Sequence, residues 1–203
     1  FIKTLFSKSR SVNKPSGTVS LANNIQVNTT LTMTAGNIDC GSNALTLGVS
    51  AASVGTLTYT AGTIIGNFKR WINSTGVGIL FPIGTSSYYR SALLTFINLA
   101  GGTVNANFVS TDPGNNGLPL SESGKSIINQ YTEGYWDLTA ANGLSSTDYA
   151  IELTGNGFTS YAVSSSTRLL HRTSSGNPWT LNGAHVAAVA VAEHFLHDAF
   201  DAA

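Results

Sequence analysis

The stretch that decides the fold is Leu31-Thr-Met-Thr-Ala-Gly-Asn-Ile-Asp39, which recurs 26 residues later as Leu57-Thr-Tyr-Thr-Ala-Gly-Thr-Ile-Ile65. In both copies large side chains alternate with threonine, and this period of two places Leu31 and Met33 on one face of a short strand. Such short strands can bury this face only if they stack on further copies of the repeat. The repeat therefore predicts a short parallel β-helix-like solenoid over residues 17–66, with hairpins at the edge of a β-sandwich as the alternative.

Longer strands with aromatic residues follow residue 66. Between residues 67 and 186 the sequence predicts eight strands, the last two at 167–172 and 179–181, and residues 110–133 form the longest irregular connection. Such spacing without a long helical period is typical of an antiparallel β-sandwich. The predicted fold class is therefore all-β, with an extended segment 1–16, repeats 17–66, a β-sandwich domain 67–186, and a short helical or irregular tail 187–203.

Charged residues are scarce in this chain. They make up 10% of its 203 residues, with ten basic against ten acidic side chains, whereas soluble domains average about 25%. Formal neutrality argues against a nucleic-acid partner, and the absence of any run of about 18 apolar residues argues against a membrane span. The single cysteine, Cys40, cannot form an internal disulfide. The composition predicts a β-rich, extracellular protein.

A series of motifs occurs in a fixed order: Gly62 to Trp71 (GTIIGNFKRW), Leu80 to Thr85 (LFPIGT) with Tyr88-Tyr-Arg90, Asp112 to Pro119 (DPGNNGLP), Glu133-Gly-Tyr-Trp136, and Trp179 to Val186 (WTLNGAHV). Over about residues 30–186, the chain resembles a module of large secreted, adhesin-like surface proteins of Bacteroidota, which are substrates of type IX secretion. The resemblance implies β-helix-like repeats followed by a β-sandwich, and export to the cell surface. It also implies a structural or adhesive role without catalytic residues.

The expected function is that of a non-catalytic structural or adhesive module of a secreted cell-surface protein. No Gly-x-Ser-x-Gly motif occurs, and Asp137 and Glu152 stand singly in predicted strands, so the sequence does not predict an enzyme. Two alternatives stay open: a carbohydrate-binding or carbohydrate-active surface protein, and a subunit of an extracellular fibre. The expected partners are neighbouring domains of a longer polypeptide or copies of the chain itself, together with surface glycans and the secretion machinery.

Two segments carry candidate binding residues. Asp112 and Asn115 offer oxygen ligands at the short spacing of calcium loops, although a Pro-Gly turn capped by Asn side chains produces the same pattern. No cofactor other than this calcium ion is expected. Trp179 follows a proline at a loop edge and is a candidate platform for glycans, with core packing as the alternative. Trp71 and Trp136 alternate with charged neighbours and are expected to face the core.

The two ends of the chain differ in charge. Residues 1–14 contain four cations and no acid, with apolar residues on both faces of an extended strand. We expect this segment to pack against a neighbouring domain of the same polypeptide, or against a second copy in a fibre. In the tail, Glu193, His194, His197 and Asp198 would share one face of a helix, where they are candidate metal ligands or simply a solvated surface.

Overall fold

The computed structural model describes residues 5–186, 188 and 194–198. These residues form thirteen β-strands and no helix, which confirms the predicted all-β class. Among the described residues there is accordingly no helix that is long and apolar enough to cross a membrane. The strands are β1 (Leu5–Ser20), β2 (Ile25–Leu47), β3 (Thr56–Tyr59), β4 (Ile64–Ile72), β5 (Ile79–Phe81), β6 (Ala92–Phe96), β7 (Gly102–Val109), β8 (Leu120–Glu122), β9 (Lys125–Ile127), β10 (Tyr135–Ala141), β11 (Tyr149–Thr154), β12 (Ala184–His185) and β13 (His194–Asp198).

The first sheet joins a parallel part to an antiparallel part. Its strand order is β1-β2-β4-β7-β10, and β3 pairs with β2 beside that path. Strands β1, β3 and β4 pair with β2 in parallel, whereas β7 pairs antiparallel with β4 and with β10. Strand β4 spans the predicted boundary at residue 66 and belongs to both parts. The division into separate domains stays a prediction.

The repeat sets the register of the parallel part. Leu31 of β2 pairs with Leu57 of β3, and Ile38 of β2 pairs with Ile64 of β4. Both pairs keep the offset between the two copies of the repeat. Leu31, Ile38 and Ile64 are at most 3% exposed. Equivalent apolar residues of successive strands therefore stack on one another and build the core.

Glycine lets successive turns of the chain approach each other closely. Gly36 and Gly62 occupy the same position in the repeat and have φ values of +87° and +104°. A Cβ added at Gly62 would lie 2.1 Å from the carbonyl oxygen of Gly36, and one added at Gly36 would lie 2.2 Å from that of Lys14. Beside this contact, the main-chain N–H of Thr63 donates to Asn37 Oδ1 at 3.0 Å. The Ala-Gly step of the repeat is therefore where three successive turns touch.

The second sheet packs against the first through aromatic side chains. Its strand order is β12-β13-β11-β6-β5, and neighbouring strands run antiparallel. Phe81 of β5 meets Phe68 of β4 edge to face, with ring centroids 5.9 Å apart, and both rings are fully buried. One apolar cluster extends from Val27 in β2 to Phe158 after β11. The two sheets thus share a core.

Two of the predicted strands are not formed. Residues 167–172 and 179–181 meet only at an isolated bridge between His171 and Thr180. Strand preference produces a strand only where a neighbouring edge supplies hydrogen-bond partners. Here the carbonyl oxygen of Leu169 instead faces the ring Nε2 of His185 at 2.9 Å. The local sequence of these two segments was therefore not enough to form a strand without a partner edge.

A hairpin occupies part of the connection that was predicted to be irregular. Strands β8 and β9 pair antiparallel within residues 110–133. Their turn residues Ser123 and Gly124 both have positive φ, at 49° and 73°. Two such residues in a two-residue loop match the twist of a hairpin. The Ser-Gly dipeptide was the local signal that the sequence prediction missed.

The prediction of a helical or irregular tail is wrong at residues 194–198. These residues form β13, which pairs antiparallel with β11. The edge of β11 presents main-chain hydrogen-bonding groups, and pairing with it outweighs the helix preference of an Ala-rich segment. Of the candidate metal ligands, Glu193 and the side chains of His194, His197 and Asp198 lie outside what the structure describes. Residues 187, 189–192 and 199–203 lie outside the described part of the chain as well.

Strand β4 reverses the predicted orientation of Trp71. Its buried residues are Ile64, Phe68, Arg70 and Ile72, and Trp71 is half-buried on the face opposite Arg70. The Arg70 guanidinium donates through Nη1 to the carbonyl oxygen of Leu80 at 2.6 Å, and burial lowers the pKa of Arg70 to about 10. Because Phe68 and Ile72 must fill the core, the strand period carries Arg70 inward with them.

Trp136 packs against the core, and we expect Trp136→Ala to cost about 3 kcal/mol of unfolding free energy, the low end for Trp truncation since the ring is half-buried. Its ring centroid lies 5.2 Å from that of Phe108 and 5.6 Å from that of Phe158. Its Nε1 donates to the carbonyl oxygen of Arg90 at 2.9 Å. Urea unfolding measures the loss, with Tyr161→Ala, an exposed aromatic, as the control. Equal midpoints for both variants would contradict this role.

Candidate functional site

A groove of about 640 Å³ opens along the edge strand β1. Buried apolar side chains of β2 form its floor, and the exposed residues Arg10 and Lys14 of β1 contribute charge. A cleft of this size with an apolar floor and few polar groups is the usual form of a binding site. Its apolar lining residues are Val12, Val19, Leu21, Ile25, Val27, Leu31, Ile38 and Leu45.

The groove exists because β1 has a strand on one side only. In the described part of the chain, β1 lies at the end of the first sheet and pairs with β2 alone. Val19 of β1 pairs with Ile38 of β2. Val19 is 36% exposed, whereas Ile38, which also pairs with β4, is 3% exposed. Apolar side chains that are buried in the inner strands are therefore open to solvent at β1.

Arg10 stands at an inward position of the edge strand. It pairs with Leu31 of β2, which in turn pairs with Leu57 of β3. Arg10 also lines the groove. In this column of stacked side chains the outermost member is therefore a cation, where the two inner members are leucines.

The charge along β1 is entirely positive. Lys8, Arg10 and Lys14 are exposed, and the first acidic residue of the sequence is Asp39. Lys14 Nζ donates to the carbonyl oxygen of Thr18 at 3.1 Å, which keeps it near the strand. Cations concentrated along one edge attract anionic groups. The groove thus combines an apolar floor with a positive rim.

Asp112 caps a turn in the loop before β8. Its Oδ1 accepts hydrogen bonds from the main-chain N–H of Gly114 at 2.8 Å and from Gln130 Nε2 at 3.1 Å. Asn115 is exposed, and its carbonyl oxygen accepts the N–H of Leu118 at 3.0 Å. Calcium binding by Asp112 and Asn115 stays a prediction. In the described residues no group of three or more His, Cys, Asp or Glu side chains is placed to hold a metal ion.

Trp179 adjoins the same loop. Its Nε1 donates to the carbonyl oxygen of Gly114 at 2.8 Å, so the structure brings together the two segments that the sequence singled out. The Arg172 guanidinium lies 4.2 Å from the centre of the Trp179 ring system, and the residue is 8% exposed. These contacts are those of a packed indole. Glycan binding by Trp179 stays a prediction.

A cluster that the sequence did not reveal joins Glu122, Arg168 and His185. Glu122 Oε1 lies 2.6 Å from His185 Nδ1, and Glu122 Oε2 accepts a hydrogen bond from Arg168 Nε. Burial raises the pKa of Glu122, but the hydrogen bonds from His185 and Arg168 outweigh burial and lower it. Arg168 and His185 lie 46 and 63 positions from Glu122 in the sequence. No local motif could have indicated the contact.

The geometry of His185 is that of a structural crosslink. Its Nδ1 faces the carboxylate of Glu122, and its Nε2 faces the carbonyl oxygen of Leu169 at 2.9 Å. A general base needs a ring nitrogen that is free to take a proton from a substrate. Both nitrogens of His185 are already held by oxygens of the protein. The cluster ties β8 to β12.

Glu133 ties the chain before β10 to the loop after β11. Its carboxylate accepts hydrogen bonds from the main-chain N–H of Ser160 at 2.6 Å and from Ser160 Oγ at 2.7 Å, as well as from the N–H of Thr159. Burial raises the pKa of Glu133, but these hydrogen bonds outweigh it and lower the pKa from 4.5 to about 2. The ionised carboxylate therefore stabilises the fold.

We expect Glu133→Gln to lower the melting temperature at pH 7 but to have little effect near pH 2. A carboxylate with a depressed pKa stabilises the fold above its unfolded pKa, and this contribution is lost as the pH falls from about 4.5 to about 2. Thermal melts across this range measure the difference between variant and parent. Asp137→Asn, at an exposed carboxylate, is the control. A difference that is as large at pH 2 as at pH 7 would contradict the prediction.

No protein-family model matches the chain. Neither a curated protein nor a solved structure has a significant match to it.

Proposed function

We propose that this chain is a non-catalytic structural module of a secreted cell-surface protein. The proposal includes the finer architecture, in which residues 17–66 form a short β-helix-like solenoid and residues 67–186 a β-sandwich with an antiparallel core. The observation that carries it is the parallel, in-register stacking of the repeat, which ends at an open edge strand above an apolar groove. An open edge strand of this kind can pair with a strand of an adjacent domain or chain.

Stacked columns of side chains support the solenoid. Val19 pairs with Ile38 and Ile38 with Ile64, so one column passes through β1, β2 and β4. A second column starts at Val12, which pairs with Met33. Each added strand lengthens such a stack by about 4.8 Å. Architecture of this kind extends a surface protein by repetition and needs no chemistry.

The ionised groups that the structure describes in detail support a structural role. The Glu133 carboxylate accepts four hydrogen bonds from Thr159 and Ser160. Glu122 is held by His185 and Arg168. Charged groups in catalytic sites face a cleft where substrate can reach them. Here the charges are used to connect distant segments of the chain.

Labelling of intact cells tests the proposal. An antibody raised against the purified chain is expected to label unpermeabilised cells of the encoding organism, and brief protease treatment of those cells is expected to remove the signal. An antibody against a cytoplasmic protein is the control and should bind only after permeabilisation. Labelling that requires permeabilisation would contradict the surface role. On a glycan array, binding by the parent that is lost in Trp179→Ala would favour the carbohydrate-binding alternative.

A further inference from the structure

Strand β1 offers its free edge and its apolar face together. In the described residues it is the first strand of its sheet, and it pairs with β2 from Leu5 to Ser20. Val19 is 36% exposed at this edge, and Val12 is half-buried. Unpaired main-chain groups and apolar side chains along an edge are a template for another strand.

Arg10 limits which strand can bind there. In the stack that contains Ile38, the side chain at the edge of the sheet is Val19, which is apolar. In the stack that contains Leu31, the side chain at the edge is Arg10. A strand placing an apolar residue over Arg10 would bury the guanidinium without a counter-charge, and removing an unpaired ion from water is strongly unfavourable. A carboxylate at that position instead offers the paired oxygens that a guanidinium binds best.

The surrounding charge favours the same choice. Lys8 and Lys14 are exposed on either side of Arg10 along β1. Residues 5–38 contain no acidic side chain that could neutralise them locally. A second copy of the chain aligned through its own β1 would bring cations against cations, which opposes self-pairing. The edge is therefore complementary to an acidic strand and not to itself.

We propose that β1 binds one strand of a partner polypeptide whose groove-facing side chains are acidic opposite Arg10 and apolar opposite Val12 and Val19. Asp or Glu of that strand pairs with Arg10, and apolar residues cover Val12 and Val19. The inference rests on the proposed function, because it names the partner of the stacking surface. Arg10 is the residue that selects the partner and prevents indiscriminate stacking of apolar strands.

Peptides copied from the neighbouring strand test the selection. Residues 25–35 already pair with β1 from its other side, with Leu31 opposite Arg10. Three fluorescently labelled peptides of this segment are compared: the unchanged sequence, one with Leu31→Glu and one with Leu31→Lys. The purified chain is titrated into each peptide, and fluorescence anisotropy measures binding. We expect the Glu peptide to bind about tenfold or more tightly than the other two, a difference that corresponds to one desolvated charge pair.

A charge exchange distinguishes recognition from a structural effect. In Arg10→Glu the preference is expected to reverse, so that the Lys peptide binds best. Lys125→Glu makes the same type of charge change on the distant hairpin and is expected to keep the parent's preference. Arg10→Leu extends the leucine column to the edge, and we expect it to self-associate in sedimentation experiments at concentrations where the parent is monomeric. Arg10 is exposed, so urea unfolding should confirm that its variants remain folded.

Three results would overturn the inference: absence of peptide binding, equal binding of the Leu and Glu peptides, or a preference that Arg10→Glu leaves unchanged. Arg10→Leu that stays as monomeric as the parent would overturn the protective role of Arg10. These readouts use purified protein and are independent of cell labelling. Peptide selection by a protein absent from the cell surface would refute the proposed location and leave the inference standing.

Discussion

Gly62→Ala is expected to destabilise the chain by about 3–5 kcal/mol, because backbone strain and a backbone clash act together at this position. At a φ of +104° an alanine is already strained. Its Cβ would lie 2.1 Å from the carbonyl oxygen of Gly36, and main-chain atoms can retreat only if the stacked strands separate. Urea unfolding followed by tryptophan fluorescence measures the loss.

Gly41→Ala is the matched control for this substitution. Gly41 also has a positive φ, at +55°, but no atom lies within 4 Å of the added Cβ. It therefore reports backbone strain alone, at about 1–2 kcal/mol. Equal losses in the two variants would show that Gly62 does not hold stacked turns in contact. Such a result would count against the β-helix-like part of the proposed architecture.

The parallel part of the fold was the most predictable from sequence. Leu31 and Leu57 occupy equivalent positions of a repeat, and stacking of equivalent positions is the simplest way to bury both. The structure pairs these two residues directly. The close approach of Gly62 to Gly36 has the same origin, because both glycines belong to the repeat. The repeat pattern therefore predicted which residues pair between β2 and β3, although they lie far apart in the sequence.

Alternation alone could not decide which face of β4 is buried. Its period separates Phe68 and Arg70 from Lys69 and Trp71, so either face carries one aromatic and one cation. The prediction placed Trp71 inside, whereas the structure buries Phe68 and Arg70. The choice depends on Phe81 of the second sheet, which contacts Phe68. That contact lies outside the strand and leaves no trace in its own sequence.

Candidate sites were predictable to the extent that they are local. Asp112 was correctly located in a tight turn, but its hydrogen bond to Gln130 joins residues 18 positions apart. The groove beside β1 could not be predicted from residue types, because it arises where β1 pairs with β2 alone in the part of the chain that the structure describes. Arg10 gains its significance only from its register with Leu31. The pairing of β1 with β2 therefore makes Arg10, an exposed cation, a candidate specificity residue.

Arg90 joins three carbonyl groups that belong to distant segments. Its Nε donates to the carbonyl oxygen of Asn156 at 2.9 Å, and its two terminal nitrogens donate to those of Glu133 at 3.3 Å and Gly157 at 3.4 Å. The residue is 3% exposed. The planar fork of a guanidinium can serve several acceptors at once, which an ammonium group cannot do in the same geometry.

Aromatic rings enclose the same guanidinium. Its central carbon lies 4.5 Å from the ring centroid of Phe108 and 4.6 Å from that of Phe158. Rings at this distance attract a cation and exclude water from it. Removal of the side chain therefore leaves both a cavity between rings and carbonyl oxygens without their donors.

We accordingly expect Arg90→Ala to cost about 3–5 kcal/mol of unfolding free energy, since each buried acceptor that loses its donor costs about 1–3 kcal/mol and the effects are not fully additive. Arg90→Lys keeps the charge but reaches fewer carbonyls, so its loss should be intermediate. Lys125→Ala, at an exposed cation of β9, should change stability by less than about 0.5 kcal/mol. Urea midpoints of the three variants give the order. An Arg90→Ala protein as stable as Lys125→Ala would show that the core closes without the guanidinium, and that the rings of Phe108 and Phe158 hold these segments together by themselves.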